Sequence, residues 1–274
     1  MPVERTEPTS PLTDEQQKDC ILRLRQMLKT FSDEKHLKNI CTQDSYLKRY
    51  LYGTHFNVEE AFKKMVAGIE LLVEHPDWYK KEGPKDQELL DLDVRVVLPD
   101  CDKEGRPIYV IKSENIDVNK VSMYDVIALD DIWLEAILNG NPKLAEKGLC
   151  VIMDMHNTPW KIMKWLRPEN VNISSRKTES LPFKDVKVHI VNNTFFMNTI
   201  IKMVWPFLPE KIKKMVIFHF NSFDVLYDHI DQKVLPLEYG GFKKIVYADL
   251  YKQLRDRNDE IIESFNMYRN VEKY

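Results

Sequence analysis

Asp154 and His156 are the residues whose types and spacing come nearest to chemistry. They follow the apolar run "LCVIM" at 149–153, the place where an α/β enzyme sets a catalytic acid. An acid beside an imidazole could move a proton. The competing reading is a strand-end carboxylate that binds loop amides. No nucleophile stands with them: the chain has no G-x-S-x-G elbow, no G-x-x-x-x-G-K-[ST] loop and no H-E-x-x-H pair. Its eight glycines form no G-x-G-x-x-G turn. The seven histidines are scattered, and His189 and His219 fall inside apolar runs, as core histidines do. Cys20, Cys41, Cys101 and Cys150 form no C-x-x-C pair, so reduced thiols are expected rather than a disulfide framework or zinc site. Neither a catalytic residue nor a metal ligand is assigned, and a non-enzyme is the expectation.

Composition narrows the function further. The 274 residues are 43% hydrophobic and 30% charged, an ordinary globular balance. A net charge of -3 gives no global attraction to nucleic acid, so any anion-binding surface must be a local patch. No apolar run reaches the ~18 residues of a membrane span. The opening "MPVERTEPTS" lacks the apolar core of a signal peptide, and a cytoplasmic protein is expected.

The elements that would position a site come next. In the first third, Asn57 can cap a helix with Glu60 as partner. Val58, Ala61, Phe62, Met65, Val66, Ile69 and Val73 then form one apolar stripe. "HPDWYKKEGPKD" marks a linker. Beyond it lie strand-like runs at 94–98, 107–111, 149–155, 186–191 and 215–220. The first two are joined by a turn and pair as neighbours; helical patterns separate the rest. The organisation predicted is an α/β fold: a helical N-terminal unit (1–85), a mostly parallel sheet flanked by helices (86–246) and a helical tail (247–274) that reads as one polar amphipathic helix.

One stretch, "IIKMVWPFLPEKIKKM" at 200–215, is apolar yet broken by Pro206 and Pro209. Met197, Ile200, Ile201 and Val204 fit one helix face; Pro206 ends that helix near Trp205, and Pro209 suits the first position of a second. Phe207 and Leu208 occupy the corner. Lys211, Lys213 and Lys214, with Lys184 and Lys187 nearby in sequence, make a basic edge beside apolar groups. Such an edge can rest on an anionic membrane at ~1 kcal/mol per lysine; a solvated helix end is the alternative.

The order of segments resembles a known family. "DSYLKRYLYGTHFNVEEAFKKM" (44–65), "DKEGRPIYVI" (102–111), "GLCVIMDM" (148–155), "VHIVNNTFF" (188–196), "PFLPEKIKKMVIFH" (206–219) and "VLPLEYGG" (234–241) are similar to the CRAL-TRIO lipid-binding family. Within it the resemblance is to the α-tocopherol transfer and retinaldehyde-binding branch. The resemblance implies an apolar cavity for one lipid, closed by a mobile helical gate, with no catalysis and no cofactor. It also implies transient contact with phosphoinositide-containing membranes through basic residues beside the gate.

On that basis Ile127, Asp130 and Leu134 face the pocket, Leu149, Val151 and Met153 share one strand face, and Leu166, Ile173, Leu181 and Phe183 close the opposite wall. The gate is Met197, Ile200, Ile201, Val204, Phe207 and Leu208, and the membrane edge is the five lysines. Asp130 is the odd member: a carboxylate on an apolar line must be paired, protonated or at the pocket mouth. It either accepts a ligand hydroxyl or pairs with a basic side chain. The chain departs from the branch at "YLYGTH", where relatives carry an arginine-rich segment, and at Val186, Trp205 and Met215, where they carry positive charge. Three readings follow: a cytosolic carrier for a tocopherol, retinoid or other isoprenoid-like lipid, reversibly membrane-associated; an interaction module with a vestigial cavity that docks proteins or phosphoinositide membranes; and an enzyme built on Asp154 and His156.

Overall fold

Three helices open the chain: α1 (Asp14–Lys35), α2 (Asp44–Gly53) and α3 (Val58–Glu74). The computed structural model describes residues 12–219 and 222–274, with the backbone alone for Phe195, Phe196 and Met197. The opening stretch, Phe220 in the predicted strand run and the Met197 side chain therefore lie outside the described residues. Thr13 and Gln16 form a capping box that starts α1, and Asn57 caps α3 by accepting the Glu60 N–H at 3.0 Å. Ile21, Leu24, Leu28 and Phe31 repeat at three and four residues and are buried, so α1 turns one stripe inward. That stripe meets Leu47, Leu51 and Ala61 in a core of its own. Between α1 and α2 lies a two-residue strand, β1 (Leu37–Lys38).

Between the helical unit and the sheet the chain runs through short 3-10 turns. Pro76 and Pro84 each begin a short 3-10 turn, where a missing N–H costs nothing. The chain then enters a five-stranded sheet in the order β2 (Arg95–Cys101), β3 (Pro107–Lys112), β4 (Leu149–Asp154), β5 (Val186–Val191), β6 (Val216–Phe218). β2 and β3 are antiparallel neighbours, and the remaining pairs are parallel. Helices fill the crossovers: α4 (Met123–Gly140) and α5 (Leu144–Lys147) before β4, α6 (Pro168–Ser180) before β5, α7 (Phe195–Val204) and α8 (Glu210–Lys213) before β6. α9 (Asp224–His229), α10 (Tyr247–Asp256) and α11 (Asn258–Tyr268) follow. A last strand, β7 (Glu272–Lys273), returns to pair antiparallel with β1.

Two expectations need correction. The tail is two helices rather than one. Arg257 leaves helical geometry, and buried Asn258 turns back to accept the Lys85 N–H at 3.1 Å, which breaks the run. Pro209 precedes α8 instead of opening it; its extended ψ of 148° makes Glu210 the first helical residue.

Strand register sorts the sheet into two faces. Tyr109, Val151, Val188 and Val216 form one row, and Ile111, Met153, Ile190 and Phe218 the next row on the same face. Cys150, Ile152, His189 and Asp154 point to the other. The N-terminal unit docks beside the sheet through α3 on α6 and α2 near α5. Gly53 sets how closely: a Cβ there would stand 1.6 Å from the Pro182 carbonyl oxygen. Gly53→Ala is expected to lower unfolding stability by about 2 kcal/mol through this overpacking, read as a reduced denaturation midpoint of the full chain.

Candidate ligand site and gate

Ser122 and Asp125 form the capping box that starts α4, as the sequence predicts. From that start, Ile127, Asp130 and Leu134 fall on one helix face at spacings of three and four. Asp130 fixes this face over the sheet. Its Oδ1 accepts the Arg95 Nε–H and the Tyr109 hydroxyl, each at 2.6 Å. Arg95 is buried and also donates to the Val94 and Lys112 carbonyls, both at 2.8 Å. Burial opposes the Arg95 charge, but Asp130 and Tyr109 outweigh it and hold the guanidinium above its ordinary value. The Tyr109 hydroxyl is pushed well up by burial and by the Asp130 charge, so it stays a donor. Arg95 and Tyr109 were missed as partners, although an arginine inside "VRVVL" was the available signal.

Register puts Leu149, Val151 and Met153 on the same face as Tyr109, beneath α4. Leu149 and Val151 are buried, while Met153, Ile127, Leu134, Val188, Val216 and Phe218 keep partial exposure. The wall residues from other segments divide among different neighbours rather than forming one surface. Ile173 is buried against Leu71 and Trp78, in a cluster that Met123 and Ile127 adjoin. Phe183 is closed into the main core, and Leu166 is half-buried after the 3-10 turn Trp160–Trp165. Leu134 and Leu181 line a cavity of about 90 Å³ against the N-terminal unit. Ile173 lines an open cleft of about 670 Å³ with Trp78, Met123, Trp165 and Arg167.

The gate segment runs from α7 through a 3-10 turn, Trp205–Phe207, into α8. Trp205 lies on Phe218, ring centroids 5.5 Å apart, which sets this turn beside the α4-covered sheet face. Ile200 is buried and Ile201, Val204 and Leu208 are half-buried. Phe207 turns outward instead, 53% exposed, with Met203 at 56%. Lys184, Lys211 and Lys214 are exposed and form no ion pair among the described residues. The other two lysines of the predicted edge are engaged: Lys213 pairs with Glu210 at 2.7 Å and Lys187 with Glu104 at 2.9 Å. Lys187 also stands on the opposite sheet face, in register with Cys150. A lysine outside the predicted set joins the gate end. Lys64 of α3 donates to the Leu181 and Phe183 carbonyls at 3.2 and 2.6 Å, and burial and the Lys211 charge push its amine down to about 8.

The Asp154 carboxylate and the His156 ring do not meet. Asp154 accepts the His156 backbone N–H at 2.9 Å, the Asn192 side chain at 2.8 Å and the Tyr239 hydroxyl at 3.0 Å. It ties the end of β4 to two loops, while the His156 ring is 60% exposed and faces Glu114 at 4.0 Å. Among the described residues no three His, Cys, Asp or Glu side chains have metal-binding geometry. No described helix is long and apolar enough to cross a membrane. All four cysteines are free.

A mostly parallel sheet flanked by helices, with partly exposed apolar side chains under α4, has the architecture of a lipid-binding α/β domain. Residues 93–241 match the CRAL/TRIO domain, and the chain belongs to that family. Among its relatives is clavesin-2 of Rattus norvegicus, 27% identical over 225 residues, covering 81% of this chain and 68% of the relative. Clavesin-1 of the same species is 26% identical over 225 residues, 81% of this chain and 62% of its own length. The structure of Sfh5 shares the fold at a TM-score of 0.54 and 12% identity, covering 93% of this chain and 100% of that one. Family membership makes lipid binding the coarse function.

The opposite sheet face carries three imidazoles. His189 Nδ1 lies 2.9 Å from His219 Nε2, and the His229 ring is 4.9 Å from that of His189. Burial, then His219 and His229, push His189 down to about 3, and burial and His229 lower His219. These values lie below the ordinary 6.5, so the unfolded chain takes up the protons first. The neutral cluster therefore stabilises the fold fully above about pH 6.5 and loses that contribution as pH falls, by ~1.4 kcal/mol per unit for each such proton. Urea unfolding at pH 7.5 and 5.5 is expected to show lower stability at 5.5, and His189→Leu to flatten the difference.

Proposed function

We propose that the protein is a non-enzymatic cytoplasmic carrier that holds one small hydrophobic ligand beneath α4. It exchanges that ligand with membranes when the α7–α8 segment moves. The observation that carries the reading is the set of half-buried apolar side chains around the sheet face: Met153, Val188 and Phe218 of the sheet, Ile201 and Val204 of α7, and Ile127 of α4, whereas Leu134 lines the cavity behind that helix. A densely packed core of this size buries such residues. Partial exposure in the interior is what a ligand wall needs. The working units of this proposal are residues 1–85, 86–246 and 247–274.

The gate supports a membrane step by its outer surface. Met203 and Phe207 present apolar groups to solvent, with Lys202, Lys211 and Lys214 beside them. Apolar insertion with lysines on anionic head groups, phosphoinositides included, would draw the segment off the cavity. Tocopherols, retinoids and other isoprenoid-like lipids are the ligand class proposed. Asp130 would read a hydroxyl on such a ligand: its side chain keeps 27% exposure, and its Oδ2 bonds nothing among the described residues.

A second reading has one observation in its favour. The cavity between the N-terminal unit and α4 is about 90 Å³, well below the ~300–1,000 Å³ of ligand pockets. An interaction module with a collapsed cavity would look like this. Organic extraction of the purified protein separates the two. Co-purifying or stoichiometrically loaded lipid is expected; no lipid in either experiment would sink the carrier. For the gate, charge reversal at Lys211 and Lys214 is expected to slow ligand transfer to anionic liposomes about tenfold, with equilibrium affinity little changed. Equal transfer rates would remove the membrane role. Asp130→Asn is expected to weaken a hydroxylated ligand about fivefold and leave its methyl ether unaffected. Equal effects on both would reject the hydroxyl contact.

A further inference from the structure

The small cavity behind α4 has a polar end whose donors and acceptors do not balance. Its lining comes from α2, α3, α4, α6 and α11. Five charged side chains line it: Arg49, Lys177 and Arg269 against Asp131 and Glu135. Three cations against two carboxylates leave a formal excess of one positive charge. Arg49, Asp131, Glu135 and Arg269 are each at least nine-tenths buried.

Three of the four carboxylate oxygens are occupied, while Asp131 Oδ1 accepts no bond among the described residues. Glu135 takes both Arg49 terminal nitrogens at 3.0 and 2.8 Å, the Tyr268 hydroxyl at 2.9 Å, and the Ser264 hydroxyl. Asp131 Oδ2 takes Lys177 Nζ and an Arg269 terminal nitrogen, both at 2.8 Å. The other Arg269 terminal nitrogen donates to the Lys80 carbonyl, and Lys177 also reaches the Trp78 carbonyl at 2.9 Å. Two buried donors are left over: Arg269 Nε and the Tyr79 hydroxyl have no partner among the described residues. Tyr79 also lies under the Lys177 ammonium, 4.1 Å from ring centroid to nitrogen. Burial and the Asp131 charge push the Tyr79 hydroxyl up, so it stays protonated and needs an acceptor. Burial pushes the Lys177 amine down, with Asp131 opposing that shift and Arg269 adding to it.

An excess cation and two orphan donors in one buried space call for an acceptor that carries negative charge. We propose that this cavity binds one small monovalent anion of halide size, held by Arg269 Nε–H and the Tyr79 hydroxyl beside Lys177. At about 90 Å³ the space takes such an ion with a water or two, at roughly 30 Å³ each. The ion completes the contact of the N-terminal helices with α4 and α11. This assignment does not depend on lipid carriage.

The test is thermal unfolding of the full chain at constant ionic strength, with sodium chloride or bromide replacing sodium gluconate. A saturable rise in midpoint with either halide is expected. Crystals grown in bromide should show an anomalous peak within hydrogen-bond distance of Arg269 Nε and the Tyr79 hydroxyl. Tyr79→Phe removes one donor and no charge, and should raise the half-saturating halide concentration about fivefold. Equal midpoints in halide and gluconate, or bromide crystals with only water in the cavity, would overturn the proposal. A Tyr79→Phe protein with unchanged half-saturation would overturn it too, by putting the halide effect elsewhere.

Discussion

Two carboxylates one turn apart on α4, Asp131 and Glu135, hold the molecule together. Glu135 takes Arg49 from α2 and Ser264 and Tyr268 from α11. Asp131 takes Lys177 from α6 and Arg269 next to α11. Burying such charges costs energy, which only close and complete pairing recovers; losing one partner typically costs about 3–5 kcal/mol. These bonds fix the back of α4, while its front meets the sheet. The front adds a third carboxylate, half-buried Asp130, clamped by Arg95 and Tyr109. A helix held on both sides makes a rigid wall, so any movement that admits a ligand falls to other elements.

The proposed gate is where that freedom would lie. Its helices are short, its corner is set by two prolines, and its outward side chains are apolar ones that gain nothing from water. The basic end is thinner than the lysine count suggests. Glu210 and Glu104 neutralise two of the five, and Lys64 from the N-terminal unit supplies positive potential that local sequence could not reveal.

What was legible in the sequence follows from periodicity. β5 appears at its full predicted span and α4 starts at its predicted cap, because apolar alternation and capping are local signals. Leu149, Val151 and Met153 share a face for the same reason. Pairings between distant segments were not legible. Nothing local says that Ile173 packs on Trp78 or that Phe183 is sealed in the core. Nor does "VRVVL" announce that its arginine answers Asp130. The break at Arg257 escaped because the tail keeps an apolar stripe on both sides of it.

The pairing of β1 with β7 sets an order of assembly. Leu37 and Lys38 lie among the first helices, and their partners Lys273 and Glu272 are synthesised after everything between them. The N-terminal helices can bury their own core early, but this clasp must wait until residues 272–273 are made. Closing so long a loop is entropically costly, so the sheet and its crossovers have to be in place before it forms. The protein is therefore fastened last where these two short strands meet, and a nascent chain can build its sheet while residues 37–38 and 272–273 are still apart.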